Sequence, residues 1–157
     1  MLNSDLGSQN GPMIRPSVYE ELVAPYMKKL CKFIHENSDF KIMLHSCGGV
    51  EPLIPILVDC GIDILNPVQI SANGMEPGKL VQKYGKDIVF WGGGCDTQSV
   101  LNLASPQEVE SHVKDLMGIY KNAKGYVFNQ VHNIMGDIKS ENVVAMFDAA
   151  YKFGKYV

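Results

Sequence analysis

Apolar and polar positions along this chain follow two rhythms that alternate. Phe40 to Leu44, Ile62-Asp63-Ile64-Leu65-Asn66-Pro67-Val68, Asp87-Ile88-Val89-Phe90-Trp91 and Gly125-Tyr126-Val127-Phe128-Asn129 are short runs rich in strand formers, each ending in glycine, proline or polar residues. Between them lie longer stretches with apolar residues at helical spacing. The first starts at Ser17, where Ser17 and Glu20 form a capping-box pattern and Val18, Leu22, Met27, Leu30, Phe33 and Ile34 make an apolar face. Pro25 inside it predicts a kink or a reset of the helix start, and Asn37-Ser38-Asp39 closes it. Val50 to Cys60 is a second helix with Gly61 as its stop, and Pro77 to Tyr84 a third, ended by Gly85. Ser105-Pro106-Gln107-Glu108 is the clearest helix start in the chain, opening a helix that runs to about Asn122. A last helix spans about Ser140 to Phe153, with Val143, Val144, Met146, Phe147 and Ala150 facing inward. Residues 1–16, with Asp5-Leu6-Gly7-Ser8-Gln9-Asn10-Gly11-Pro12 at their centre, read as a loop with no strand ahead of it.

The predicted order is a helix followed by strand and helix, four times over. Strands alternating with helices at this spacing give an α/β fold with a parallel sheet and right-handed crossovers. Polar residues gather after the strands: His45 and Cys47, Asn66 and Gln69, Cys95 and Asp96, Asn129 and His132. The opposite connections, such as Gly85-Lys86 and Lys124-Gly125, carry no such set. This asymmetry predicts half of a TIM (β/α)8 barrel, four parallel βα units preceded by a helix, with its site on the C-terminal face and residues 1–157 forming one partial-barrel domain. A doubly wound sheet is the alternative, but no Gly-x-Gly-x-x-Gly turn follows the first strand. A half-barrel exposes strand edges and an apolar inner face. It is therefore expected either to be part of a longer chain, pairing with a missing N-terminal half-barrel, or to close a pseudo-barrel as a homodimer.

The composition narrows the class without changing this picture. The 157 residues carry 14 Lys and Arg against 17 Asp and Glu, and a net charge of -3 leaves no basic footprint for nucleic acid. No apolar run approaches a membrane span, and the N-terminus lacks a signal peptide's regions. Four scattered cysteines point to a reducing compartment, hence the cytoplasm, rather than a disulfide scaffold.

His45 and Cys47 are the focus of the candidate chemistry, because imidazole nitrogen and thiolate sulfur two residues apart at a strand tip suit zinc. Cys95 and His132 on other tips extend the set of candidate ligands, and any three with a substrate would make an open, four-coordinate site. Asp96 is a candidate acid, base or hydrogen-bond acceptor, and His132 a candidate catalytic residue. Gly92-Gly93-Gly94 could cradle a phosphate or let a bulky ligand lie on the barrel mouth. Asp5, Gln9, Asn66, Gln69, Gly93, Gly94 and Asn129 are the expected substrate-binding residues. Cys31 and Cys60 are expected in the core, and His35 and His112 on solvated helix faces.

His45-Ser46-Cys47-Gly48-Gly49-Val50, then Asp63 to Gln69, then Phe90 to Gln98, then His132-Asn133-Ile134 with Glu141-Asn142, together resemble the uroporphyrinogen decarboxylase-like superfamily over the C-terminal half of its barrel. The resemblance implies one of two chemistries. The zinc-containing methyltransferase branch moves a methyl group between a corrinoid (methylcobalamin), carried on a partner protein, and an activated thiol. Its His-x-Cys is similar to His45 and Cys47, and His132 stands where that branch has a third Cys ligand, with Cys95 as a substitute. The decarboxylase branch acts on a tetrapyrrole without a cofactor. Its His-Gly-Ile is similar to His132-Asn133-Ile134, while its Gly-Asn-x-Asp-Pro segment differs from Gly93-Gly94-Cys95-Asp96-Thr97. The expected function is therefore zinc-dependent methyl transfer. The alternatives are a cofactor-free carboxy-lyase acting on a porphyrinogen-like small molecule, or an inactive half-barrel.

Overall fold

The computed structural model describes residues 1–155. Its elements are β1 (Leu2–Asn3), β2 (Gly7–Ser8), β3 (Gly11–Pro12), α1 (Pro16–Leu22), α2 (Ala24–Asn37), β4 (Met43–His45), α3 (Ile54–Cys60, entered by a 3-10 turn), β5 (Ile64–Asn66), α4 (Pro77–Tyr84), β6 (Val89–Trp91), α5 (Pro106–Tyr120), β7 (Tyr126–Val127) and α6 (Ser140–Phe153). Five strands form one parallel sheet in the order β1-β4-β5-β6-β7, and β2 and β3 form a separate hairpin. The fold is thus α/β, an arc of five consecutive strands from a (β/α)8 barrel rather than four. The additional strand, Leu2–Asn3, lies in the segment expected to be a loop. Two residues are too few to show a period, and only pairing beside β4 makes them a strand.

Parallel register puts Leu2, Leu44, Leu65, Phe90 and Tyr126 side by side across all five strands. Leu44, Leu65 and Phe90 are fully buried there, in the core that also takes Leu53, Leu57, Leu80 and Ile88. The alternate residues Met43, His45, Ile64, Val89 and Trp91 point to the other face and are only half-buried. A second apolar cluster joins α5 to α6 through Val109, Val113, Met117, Met146 and Ala149. Among the described residues no helix is long and apolar enough to cross a membrane.

Helix starts follow the chemistry of their first turns. Ser105 caps α5 with a complete capping box: Glu108 N–H donates to Ser105 Oγ, and Ser105 N–H donates to the Glu108 carboxylate at 2.7 Å. Ser105→Ala is expected to lower stability by about 1 kcal/mol, read as a shift of the urea midpoint at unchanged m-value. The pattern at Ser17 and Glu20 makes no such box. Pro16 takes the first helical position, Arg15 becomes the extended residue before it, and no side chain caps the turn. Pro25 resets the helix start, in the first turn of α2. In α6 the inward face is Met146 and Ala149, whereas Val144 and Phe147 are exposed, a phase set by packing on α5. His35 is exposed as expected, with Nε2 at 2.9 Å from the Asp63 carboxylate.

Candidate metal centre at the C-terminal rim

β4 ends on His45, and the next four residues are held by neighbours on every side. Ser4 N–H donates to the His45 carbonyl at 3.0 Å, continuing the β1 pairing and bringing Asp5 alongside. Cys47 N–H then donates to Asp5 Oδ1 at 2.9 Å. The hydroxyl of buried Ser46 accepts from Leu6 N–H at 2.9 Å, and Gly49 N–H reaches the Ser8 carbonyl at 2.8 Å. Gly48 has φ +84, and a Cβ there would lie 2.3 Å from the Gly7 backbone, so the hairpin clamps the turn only because residue 48 is glycine.

The imidazole of His45 is oriented by its register neighbour. His45 pairs with Asn66 across β4 and β5, and Nδ1 lies 2.6 Å from Asn66 Oδ1. Asn66 Nδ2 donates to the Trp91 carbonyl at 3.1 Å, which fixes the amide with its oxygen toward the ring. Nδ1 therefore donates to Asn66, and Nε2 faces Cys47 Sγ at 3.7 Å. One ligand atom each from Asp5, His45 and Cys47 lies within 4.8 Å of the other two. Burial, and then the Asp5 charge, push the Cys47 thiol above its ordinary pKa, so carboxylate and thiolate share this corner comfortably only around a cation.

This donor set fits zinc. A nitrogen, a sulfur and an oxygen ligand on three side chains leave a fourth position open, the pattern of catalytic rather than structural sites. The imidazole is also backed by a carbonyl-type acceptor on its far nitrogen, the usual outer partner of a metal-bound histidine.

The other expected ligands lie elsewhere. Cys95 is fully buried in the cluster between α5 and α6, its thiol pushed up to about 12 by burial first and the Asp96 charge second. Gly92 and Gly93, with φ +107 and +69, turn the chain so that residue 95 faces the helix layer instead of the rim. His132 is exposed on the wall of a cavity of about 290 Å³ and is outside the Asp5–His45–Cys47 group.

Asp96 accepts from Gln98 N–H at 2.9 Å and from the Ser99 hydroxyl at 2.6 Å, capping its own turn with both oxygens. His112, expected to be solvated, is half-buried and accepts from Asp96 N–H at 3.3 Å. Desolvation lowers its pKa against the opposing charges of Asp96 and Asp115.

The glycine run is not a phosphate cradle. Gly92 and Gly94 N–H groups are spent on the Val127 and Asn129 carbonyls. A Cβ at Gly93 would meet the Tyr120 hydroxyl at 2.6 Å, and one at Gly94 would meet the Phe128 ring at 2.4 Å. These glycines let aromatic side chains close behind β6. Gln69 Oε1 accepts from Gly48 N–H at 2.8 Å, Gln69 Nε2 donates to Gln9, and Gln9 donates to the Ser71 carbonyl, so both amides tie the hairpin to the loop after β5. Asn129 contributes its backbone carbonyl.

Val68, between Asn66 and Gln69, has φ +58 although it is β-branched, and its side chain is fully buried. That conformation is strained and is held only because the surroundings over-determine it. It aims Asn66 at His45 and Gln69 at Gly48 from one short turn. Asn66-Pro67 marked that turn in the sequence, but nothing there showed the strain.

The sequence matches the family model described as Uroporphyrinogen decarboxylase (URO-D) over residues 4–153. A protein named uroporphyrinogen decarboxylase from Vesicomyosocius okutanii (strain HA) is 36% identical over 148 residues, covering 92% of this chain and 40% of the relative. A like-named protein from Ruthia magnifica is 24% identical over 149 residues with the same two coverages. The chain thus spans about 40% of the length of these curated relatives. Among solved structures, a methyltransferase from Methanosarcina mazei superposes with a TM-score of 0.72 over 98% of this chain and 41% of that one, at 17% identity, a likeness of fold. With nearly its whole length matched and one relative above a third identical, the chain belongs to the uroporphyrinogen decarboxylase family.

Proposed function

We propose that this chain carries the metal-binding part of a zinc-dependent methyltransferase that moves a methyl group between a corrinoid, methylcobalamin on a partner protein, and a thiol acceptor. The observation that carries this reading is the His45–Asn66 pair, which turns Nε2 of the imidazole toward Cys47 and Asp5. Zinc bound there would act as a Lewis acid, holding an acceptor thiol as thiolate near neutral pH. His45, Cys47 and Asp5 would hold it, and Asn66 keeps the imidazole in the ligating tautomer. Asn66→Ala is expected to weaken zinc binding about 10- to 100-fold while the fold survives, measured by competition with a chromogenic chelator. Unchanged affinity would remove the role given to Asn66. A reducing, cytoplasmic setting suits a centre that needs Cys47 as thiolate.

The names of the relatives favour a second reading, a cofactor-free carboxy-lyase of a tetrapyrrole, in which His132 would contact the substrate. Asp96 is less suited to that work, since both its oxygens are engaged in its own turn. Metal analysis separates the readings: about one zinc per chain supports the first, and metal-free protein that decarboxylates a porphyrinogen supports the second.

In either case the arc needs completing. Large apolar residues are exposed on α2 (Tyr26, Leu30, Phe33) and α6 (Val144, Phe147, Tyr151), the two ends of the helix layer, while α3, α4 and α5 expose none. Five strands of the eight in a closed barrel leave room for three more, whereas a second copy would bring five. A complementary N-terminal barrel portion therefore suits these edges better than a homodimer. Size-exclusion chromatography with light scattering tests this: a stable symmetric dimer of the isolated chain would contradict it.

A further inference from the structure

The loop after β6 supplies one wall of the cavity that His132 lines, through Thr97, Gln98 and Asn102. Its far end is held by contacts that do not titrate. Leu101 is fully buried between α5 and α6, and buried Asn142 in the first turn of α6 donates from Nδ2 to the Leu101 carbonyl at 2.9 Å and the Ala104 carbonyl at 2.8 Å. The near end is organised by Asp96. Gln98 N–H donates to its Oδ1 at 2.9 Å, the Ser99 hydroxyl to its Oδ2 at 2.6 Å, and Leu101 N–H to its carbonyl at 2.8 Å. Asp96 is tied to the helix layer by its own N–H, which donates to His112 Nε2 at 3.3 Å. Cys95 before it and Leu101 after it are buried in the cluster between α5 and α6, so residues 96–100 are the part that a broken tie would free.

His112 can accept that hydrogen bond only with Nε2 unprotonated, so the ring is neutral and its proton sits on Nδ1. The ring is half-buried on α5, which packs against both α4 and α6. The contact therefore lies within the arc and not at an edge that further strands complete. Burial disfavours the charged ring and holds its pKa below the ordinary value, against Asp96 from the loop and Asp115 one turn along α5, which both favour the cation. Cys95, pushed up to about 12, brings no charge near neutral pH. Protonation would set an N–H on Nε2 against the Asp96 N–H, donor facing donor, and leave a half-buried cation where a satisfied pair had been.

We propose that His112 is a positioning residue: its bare Nε2 holds the loop after β6 against the helix layer, and protonating this one ring releases the cavity wall that the loop supplies. The proposal holds for either reading of the function, since it concerns the wall and not what the cavity takes. Its pH dependence has one sign. With the loop held, the ring is neutral; with the loop released, the ring returns to its ordinary pKa of about 6.5. The released state therefore takes up the proton first. The hold is complete above that pKa and weakens as pH falls below it, by at most about tenfold per pH unit for one proton.

Hydrogen exchange on the full chain, followed by NMR and expressed as protection factors, tests this between about pH 8 and about pH 5, a range that brackets the ordinary histidine pKa. The amides of Asp96, Gln98 and Leu101 should lose protection together as pH falls, with the midpoint at which the His112 ring protons titrate. Gly94 N–H and Ala104 N–H, bonded to the Asn129 and Val100 carbonyls, should stay level. His112→Gln supplies a carboxamide oxygen that accepts from Asp96 N–H without titrating, and should keep the three amides protected at every pH. His112→Ala should leave them poorly protected throughout. A residue that only fills space would give no pH dependence and no rescue by glutamine. Protection in the native chain that is constant or rises as pH falls overturns the proposal, and so does an unchanged pH dependence in His112→Gln.

Discussion

Cys47→Ala is expected to lower zinc affinity by more than about 100-fold, beyond what loss of an outer-sphere partner costs. The protein with its native cysteine should retain about one equivalent through dialysis, and the variant essentially none. Cys47 is one of three donors within 4.8 Å, and without its sulfur only Asp5 and His45 remain. The variant should still fold: residue 47 is only half-buried, and the turn is held by backbone contacts to Asp5, Ser8 and Gln69 that alanine preserves. Cys95→Ala provides the contrast. That side chain is fully buried between α5 and α6, so its loss should reduce stability and leave zinc binding as it was. Zinc retained in Cys47→Ala and lost in Cys95→Ala would place the metal on different residues and remove the centre described above.

Phe90→Ala is expected to cost about 3–5 kcal/mol of folding stability, the range for emptying a buried aromatic site. Phe90 lies between Leu65 and Tyr126 in the apolar row that crosses the sheet, fully buried, with its ring centroid 5.9 Å from that of Tyr120. Tyr120 in turn stacks on Tyr126 at 4.2 Å, so a cavity at residue 90 loosens a whole aromatic group rather than one contact. Domains are stable by only about 5–15 kcal/mol, so this single change removes a large share of the total. Urea unfolding followed by circular dichroism measures it. Leu103→Ala, at an exposed apolar position, should change stability by no more than about 0.5 kcal/mol in the same assay. Comparable losses from the two variants would mean that the row facing the helices is not the core of this fold.

Alternation of strand and helix, the α5 capping box, and the gathering of polar residues after the strands were all legible along the chain, because each is set by neighbours a few positions apart. The same holds for His45 and Cys47, which a single strand end delivers together. Other features depend on separations no local pattern encodes. Asp5 meets Cys47 across 42 positions, and only because Leu2–Asn3 adds a strand beside β4. Asn66 orients His45 across 21 positions through the register of β4 and β5, and a one-residue slip would point it to the opposite face. Cys95 looked like a ligand by type and place, but the left-handed turn at Gly92 and Gly93 sends it into the helix layer. The sequence by itself determined the class of fold, the rim on which polar residues collect and two of the candidate donors. Tertiary structure alone decided which carboxylate stands beside them, since that placement rests on strand register and turn handedness, which arise from long-range pairing and packing.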